Sequence, residues 1–133
     1  MAVYKPRLGD AFEDTSSETA PPDIETMRAT ASRVLGPDDG PGVLPPALAE
    51  LDTLTATLRG HLELLVPEVE QAAGPRPRDV QTYCALACVG EARRKLSVAP
   101  RPEFESRVAH ARRLAWSLNA LCDHHERLGG AAS

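Results

Sequence analysis

Residues 102–129, PEFESRVAHARRLAWSLNALCDHHERLG, decide the fold because they form the longest uninterrupted helical pattern of the chain. The segment also contains the only tryptophan, one of three cysteines and three of four histidines. Its apolar positions recur at spacings of three and four: Phe104, Val108, Ala111, Ala115, Leu118, Cys122 and His125. This period is typical of one face of an amphipathic helix. We therefore expect a long helix here, with Pro102 in its first turn.

Two helices are predicted in the first half of the chain, over about 23–35 and about 46–73. Asp23 is a suitable N-cap for the first, and Gly36 ends it. The second carries a long apolar stripe: Leu48, Leu51, Leu54, Leu58, Leu62, Leu65, Val69 and Ala72. Pro67 lies inside it and removes one backbone hydrogen bond, so we predict a kink, with a break as the alternative.

A third predicted helix begins with Asp79 as its N-cap and ends near Ser97. Small residues fill its middle, CALACVGEA. Gly90 costs up to about 1 kcal/mol relative to alanine in a helix interior. We therefore expect close packing against a neighbouring helix to justify it. Short, proline-containing links join helices two, three and four, and short links connect antiparallel neighbours.

The expected fold is all-α, an up-down antiparallel bundle of three long helices with a shorter N-terminal helix. At 133 residues the chain has room for one domain, which we assign to residues 23–129. Residues 1–22 are polar, acidic and lack periodic apolar positions, which predicts a disordered tail.

Composition and charge exclude several functional classes. No apolar run approaches the roughly 20 residues that span a bilayer, and the N-terminus lacks a signal-peptide pattern. We therefore expect a cytoplasmic protein with reduced thiols and no membrane partner. Residues 38–70 carry seven carboxylates and one arginine, whereas residues 76–113 carry nine cations and four carboxylates. We interpret this as an acidic helix beside basic ones and expect no nucleic acid, which favours a net basic domain.

The segment from Cys122 to Glu126 contains a cluster of side chains that can bind metals or take part in catalysis. Cys122 and His125 share a helical face, and zinc binds both residue types. Two ligands do not make a site, and no spacing demands a third, so we expect no metal and no cofactor. A Cys–His nucleophile is the alternative, but a helix C-terminus raises the pKa of a thiol. A buried cysteine acting as a small hydrophobic residue is the simpler interpretation.

The remaining histidines and arginines lie on helical flanks. His110, Arg113 and Ser117 share one flank, which together with Arg112 could face a carboxylate or phosphate. We favour a solvated face instead. His61 is interpreted as a residue at the border of the core. Trp116 marks a binding surface if it is exposed and fills the bundle if it is buried.

Three stretches resemble a family of small actinobacterial proteins labelled natural-product biosynthesis proteins, a domain of unknown function. They are LRGHLELLVPEVE (58–70), ALACVGEARRKL (85–96) and ARRLAWSLNALCDHHERL (111–128). The shared motifs are Arg59-Gly60-His61, Gly90-Glu91-Ala92-Arg93 and Asn119-Ala120-Leu121-Cys122-Asp123. Tyrosine is usual in the family where this chain has His125. The resemblance implies a role near a secondary-metabolite pathway but no reaction and no catalytic residues.

We therefore expect a non-enzymatic accessory or regulatory protein that binds a partner protein or a small metabolite. The expected contact residues are Arg59, His61, Glu91, Arg94, Arg113, Trp116, Asn119, Cys122 and His124. A pocket enclosing His61, Glu91 and Asn119 would be the best sign of such a site. The alternatives are a small tailoring enzyme with a histidine or carboxylate acid–base site between the helices, and a homodimer. The homodimer would form through the small-residue face of helix three: Cys84, Ala85, Cys88 and Ala92.

Overall fold

The computed structural model of the protein describes residues 21–36 and 48–132, and this part of the chain contains helices and no strand. The helices are α1 (Ile24–Leu35), α2 (Leu48–Ala73), α3 (Val80–Leu96) and α4 (Phe104–Ala132). The all-α prediction is confirmed. Most of the predicted disordered tail, residues 1–20, lies outside the described residues. No helix in the described part is long and apolar enough to cross a bilayer.

Side-chain caps set the helix starts that the sequence predicts. The Asp23 carboxylate accepts a hydrogen bond from the backbone N–H of Thr26. At α3 the Asp79 carboxylate accepts from the N–H of Thr82, whose hydroxyl accepts from the N–H of Asp79 in return. Each cap satisfies backbone donors that have no partner within the helix. Gly36 ends α1 with a φ of 87°, a conformation that costs glycine little.

Two sequence predictions concern prolines. α2 continues through Pro67 without interruption, so the alternative of a break is wrong, and the kink stays a prediction. Leu65, Val66 and Val69 are buried around Pro67, and this packing keeps the helix continuous despite the lost hydrogen bond. The expected position of Pro102 in the first turn of α4 is also wrong, because the helix begins at Phe104.

The two long helices α2 and α4 contact each other, and α1 and α3 each pack against both. Arg107 near the start of α4 pairs with Asp52 near the start of α2, so these two helices run parallel. Arg28 of α1 binds Asp123 and Glu126 near the far end of α4, whereas Arg33, later in α1, pairs with Glu50 at the start of α2, so α1 runs antiparallel to both. The up-down order that the short links predict is therefore present.

The core follows the leucine stripe of α2 and a wider surface of α4. The fully buried large side chains include Leu51, Leu58, Leu62, Leu65, Val69, Leu114, Leu118 and Leu121. The stripe predicted for α4 is wrong at its start, since Phe104 is 41% exposed. The reason is the length of α1, which ends about 10 Å beyond Arg28 at 1.5 Å per residue and so does not reach the first turns of α4.

The sequence predicts two roles for the small residues of α3, self-association and close packing against a neighbouring helix at Gly90, and the structure supports neither. Ala85 and Ala92 are fully buried in the core, so self-association through this face is not supported. A Cβ atom at Gly90 would meet only Arg94 Nη1, at 3.8 Å. The close-packing explanation of this glycine is therefore wrong, because an ordinary contact at 3.8 Å leaves room for alanine.

Candidate functional site

Two adjoining cavities lie beside the α3–α4 connection and share His110 and residues 98–100. We call them together the turn cleft. One, of about 240 Å³, is lined by Val98, Ala99, Pro100, Arg101, Ser106, Ala109, His110 and Arg113. The other, of about 340 Å³, is lined by Thr55, Arg59, Leu96, Ser97, Val98, Ala99, Pro100 and His110. The cleft thus combines side chains from α2, α4 and the turn between α3 and α4.

Arg59 fixes the wall of the cleft that α2 supplies. Its Nη2 donates to the carbonyl oxygen of Leu96 at 2.5 Å. Leu96 is the last residue of α3, and its carbonyl has no acceptor role within the helix. The guanidinium therefore closes the negative end of α3, where a cation is favoured. A guanidinium has five N–H donors, so further donors remain for another acceptor.

His110 lies between the two cavities with an unused ring nitrogen. The residue is 6% exposed, and its Nε2 has no hydrogen-bond partner among the described residues. Burial lowers the pKa of His110, and the nearby cations Arg59 and Arg113 lower it further. The imidazole is therefore neutral at pH 7. A buried polar group without a partner costs about 1–3 kcal/mol, which is why such groups are uncommon unless a ligand uses them.

The cleft is electropositive. Its lining contains Arg59, Arg101 and Arg113, and no carboxylate is present among the lining residues that the structure describes. Guanidinium groups recognise carboxylate and phosphate oxygens through paired hydrogen bonds. Ser97, Ser106 and Thr55 add hydroxyls to the same lining. The arrangement suits a small anion.

A third cavity runs along the outer surface of the first half of α4, and we call it the α4 groove. It has a volume of about 400 Å³ and is lined by Phe104, Glu105, Val108, Ala109, Arg112, Arg113 and Trp116. Trp116 is 48% exposed, so it does not fill the bundle, and its role in binding stays a prediction. Ala109 and Arg113 belong to both the groove and the turn cleft.

Three of the predicted contact residues lie in these cavities and the others lie elsewhere. Arg59 and Arg113 line the turn cleft, and Trp116 lines the α4 groove. Glu91 forms a salt bridge with Arg94 on the surface of α3 and approaches Lys95 Nζ at 3.8 Å. These two predicted residues, Glu91 and Arg94, thus bind each other rather than facing a cavity.

The remaining predicted residues are dispersed through the bundle. His61 Nε2 lies 3.2 Å from the Thr30 hydroxyl, between α2 and α1. Asn119 and His124 are half-buried, and each has one buried polar atom without a partner in the described part of the chain. The pocket expected around His61, Glu91 and Asn119 is not one of the three cavities. Contact roles for these residues stay predictions.

Cys122 is a core residue rather than a nucleophile. Burial raises the pKa of its thiol to about 11, so it is protonated at neutral pH. The neighbouring carboxylates Asp123 and Glu126 accept hydrogen bonds from Arg28 at 2.7 and 2.8 Å. Within residues 21–36 and 48–132, no group of three His, Cys, Asp or Glu side chains is arranged to hold a metal ion.

The predicted solvated face of α4 is wrong for two of its members. His110 and Ser117 are buried, and the Ser117 hydroxyl accepts from Lys95 Nζ at 2.9 Å. His110 directly precedes Ala111 in the apolar stripe, and this adjacency was the available signal for its burial. The contributions of Arg101 and Ser106 could not be seen, because they depend on how the turn folds back over α4.

Residues 25–130 match the model of a family of unknown function, DUF6415. No curated protein and no solved structure matches the chain.

Proposed function

We propose that this chain, which belongs to the DUF6415 family of unknown function, is a non-enzymatic protein that binds a small anionic metabolite in the turn cleft. One observation carries the proposal: His110, whose buried Nε2 has no hydrogen-bond partner among the described residues, lines a cleft together with three arginines. The ligand carries a carboxylate or phosphate group. The cavity volumes of about 240 and 340 Å³ lie just below and just above the lower limit of about 300 Å³ for ligand pockets, which favours a metabolite over a larger molecule.

The chemistry of recognition divides between the arginines and the histidine. Arg113 is exposed and provides the first cationic contact, whereas Arg59 is held in place by the Leu96 carbonyl. A bound anion offsets the repulsion that these cations exert on a protonated His110 and so raises its pKa. Ligand binding is therefore coupled to proton uptake, and affinity increases as the pH falls toward the pKa of free His110.

The biological setting in this proposal rests on sequence resemblance. The stretches 58–70, 85–96 and 111–128 support an accessory or regulatory role in a natural-product pathway of an actinobacterium, in the cytoplasm. The metabolite is then an acidic intermediate or product of that pathway. A tailoring enzyme stays the alternative, but the described lining of the cleft offers His110 no carboxylate to act with as an acid–base pair.

The test is a titration of the full-length protein with inorganic phosphate and with succinate, followed by NMR of the histidine ring protons. Wild-type protein is expected to show saturable shifts of the His110 signals. Arg113→Gln is expected to weaken binding about tenfold, the equivalent of 1.4 kcal/mol, because it removes a charge-assisted contact. The matched control is Arg76→Gln, an exposed arginine in the α2–α3 link.

Two results would overturn the proposal. One is equal affinity in Arg113→Gln and Arg76→Gln, which would mean that the anions respond only to overall charge. The other is the absence of saturable change at His110 with either anion. The same titration repeated at pH 6 and pH 8, about half a unit below and 1.5 units above the ordinary histidine pKa, must also show tighter binding at the lower value.

A further inference from the structure

The α4 groove has exposed aromatic residues at its ends and, within the described part of the chain, charged side chains that form no ion pair. Phe104 at one end is 41% exposed and Trp116 at the other is 48% exposed. Glu105, Arg112 and Arg113 form no hydrogen bond or salt bridge with any described residue. Elsewhere on the described surface, arginines such as Arg28, Arg33 and Arg93 are paired with carboxylates. A face that combines exposed aromatics with unpaired charges is typical of an interface.

The order of residue types along the groove is self-complementary. Glu105 lies four residues before Ala109, and Arg113 lies four residues after it. When two copies of α4 lie antiparallel and cross at Ala109, each Glu105 is opposite the other copy's Arg113. Phe104 then lies about 3 Å along the axis from the other copy's Trp116, within reach of a large ring. The small Ala109 and its neighbour Val108 lie at the crossing, where the helices approach most closely.

We propose that the α4 groove is the interface of a symmetric dimer of this chain, in which the two α4 helices pack antiparallel across Ala109. Charge complementarity favours a second copy of this chain, with its α4 antiparallel, as the occupant of the groove. A parallel pair would place Glu105 against Glu105, whereas the antiparallel pair forms two equivalent acid–base contacts. Such an isologous arrangement is the usual form of a two-subunit assembly.

The size of the face sets the expected strength of the dimer. From Phe104 to Trp116 the groove extends about 18 Å at 1.5 Å per residue. One helix face of this length buries less area than a standard protein interface of about 1,600 Å². Association is therefore expected to be weak and dependent on concentration, with dissociation in the micromolar range.

Sedimentation velocity of the full-length protein over a concentration series tests the proposal. The mass is expected to rise from monomer to dimer, and the emission of Trp116, the only tryptophan, is expected to shift to shorter wavelength as it becomes buried. Glu105→Arg and Arg113→Glu are each expected to raise the dissociation constant at least about tenfold, because like charges then face each other. The double variant restores opposite charges and is expected to dimerise like the wild type.

The matched control is Glu68→Arg, the same charge reversal at an exposed position of α2. It should leave dimerisation unchanged. The proposal is overturned if the wild type remains monomeric at the highest concentration, or if the double variant is as weak as the single ones. It is also overturned if the mass doubles without a change in Trp116 emission, since the copies would then meet through another surface. Because rescue requires a folded protein, misfolding of one single variant cannot imitate the expected pattern.

Discussion

Both halves of α4 have the same helical period and contribute buried side chains to the core, but they differ in what covers the rest of the helix surface. In the second half, Leu118, Leu121 and Cys122 are fully buried, and Asp123 and Glu126 are both bound by Arg28 of α1. In the first half, Phe104 and Trp116 remain exposed. The difference is the reach of α1, which covers only the second half. Where α1 is present, the apolar and charged side chains of α4 that face it are buried or paired, and beyond its end Phe104 and Trp116 stay partly exposed to solvent.

The largest effect that separates the two halves is expected from truncating one large side chain in each. Leu118→Ala in the covered half should lower the free energy of unfolding by about 3 kcal/mol, because it leaves a cavity in a fully buried site. Phe104→Ala in the uncovered half should cost well under about 1 kcal/mol, because the ring is partly in water. Urea denaturation of both variants measures the difference. Equal losses would mean that the Phe104 ring is packed as tightly as a core side chain.

A smaller effect concerns the pH dependence of stability. Burial is the main cause that lowers the pKa of His110 in the first half and of His124 in the second. Arg59 and Arg113 act in the same direction on His110, and Arg127 does so on His124, where Asp123 opposes it. In the unfolded chain each histidine has its ordinary pKa near 6.5. Between the lowered and the ordinary value the unfolded state binds more protons, so stability falls as the pH decreases through about 6.5.

Replacing either histidine by glutamine should therefore reduce the loss of stability on acidification, measured by urea denaturation on both sides of the ordinary pKa. Adding phosphate to the same measurement should separate the contributions of the two histidines to the pH dependence of stability. It should reduce the acid sensitivity contributed by His110, which lines the turn cleft, and leave that of His124 unchanged. An unchanged pH slope in the His110→Gln variant would show that this imidazole does not titrate as its surroundings indicate.

The smallest effect is expected from the ion pairs. Arg28→Gln removes contacts to Asp123 and Glu126, but the side chains involved are 34% to 58% exposed. The loss should be about 0.5 kcal/mol and should shrink in high salt. Arg112→Gln in the α4 groove should leave monomer stability unchanged, because no described carboxylate binds it. Thermal denaturation at low and high salt compares the two, and a salt-sensitive loss in Arg112→Gln would contradict the contrast.

Local features of this fold could be read from the sequence, since they depend on neighbouring residues. Asp23 and Asp79 cap their helices as predicted, and the leucine stripe of α2 is the core. The exposure of Phe104 could not be predicted, because it depends on where α1 ends in space. The turn cleft could not be predicted either, because it depends on how separate helices pack in space. His110 lies on α4 and Arg59 lies 51 positions earlier on α2, and only the packing of the two helices brings them to one cavity.

Because α1 covers the second half of α4, the reactivity of the Cys122 thiol depends on how often α1 separates from α4. Cys122 is buried near Arg28 of α1, whereas Cys84 on α3 is exposed. A thiol reagent therefore meets Cys84 in the closed molecule but meets Cys122 only when α1 lifts from α4 or the whole bundle unfolds. α1 has only three turns, and short elements at the edge of a fold often separate before the rest. The rate at which Cys122 is modified then measures how often α1 separates from the second half of α4 and leaves that half as exposed as the first.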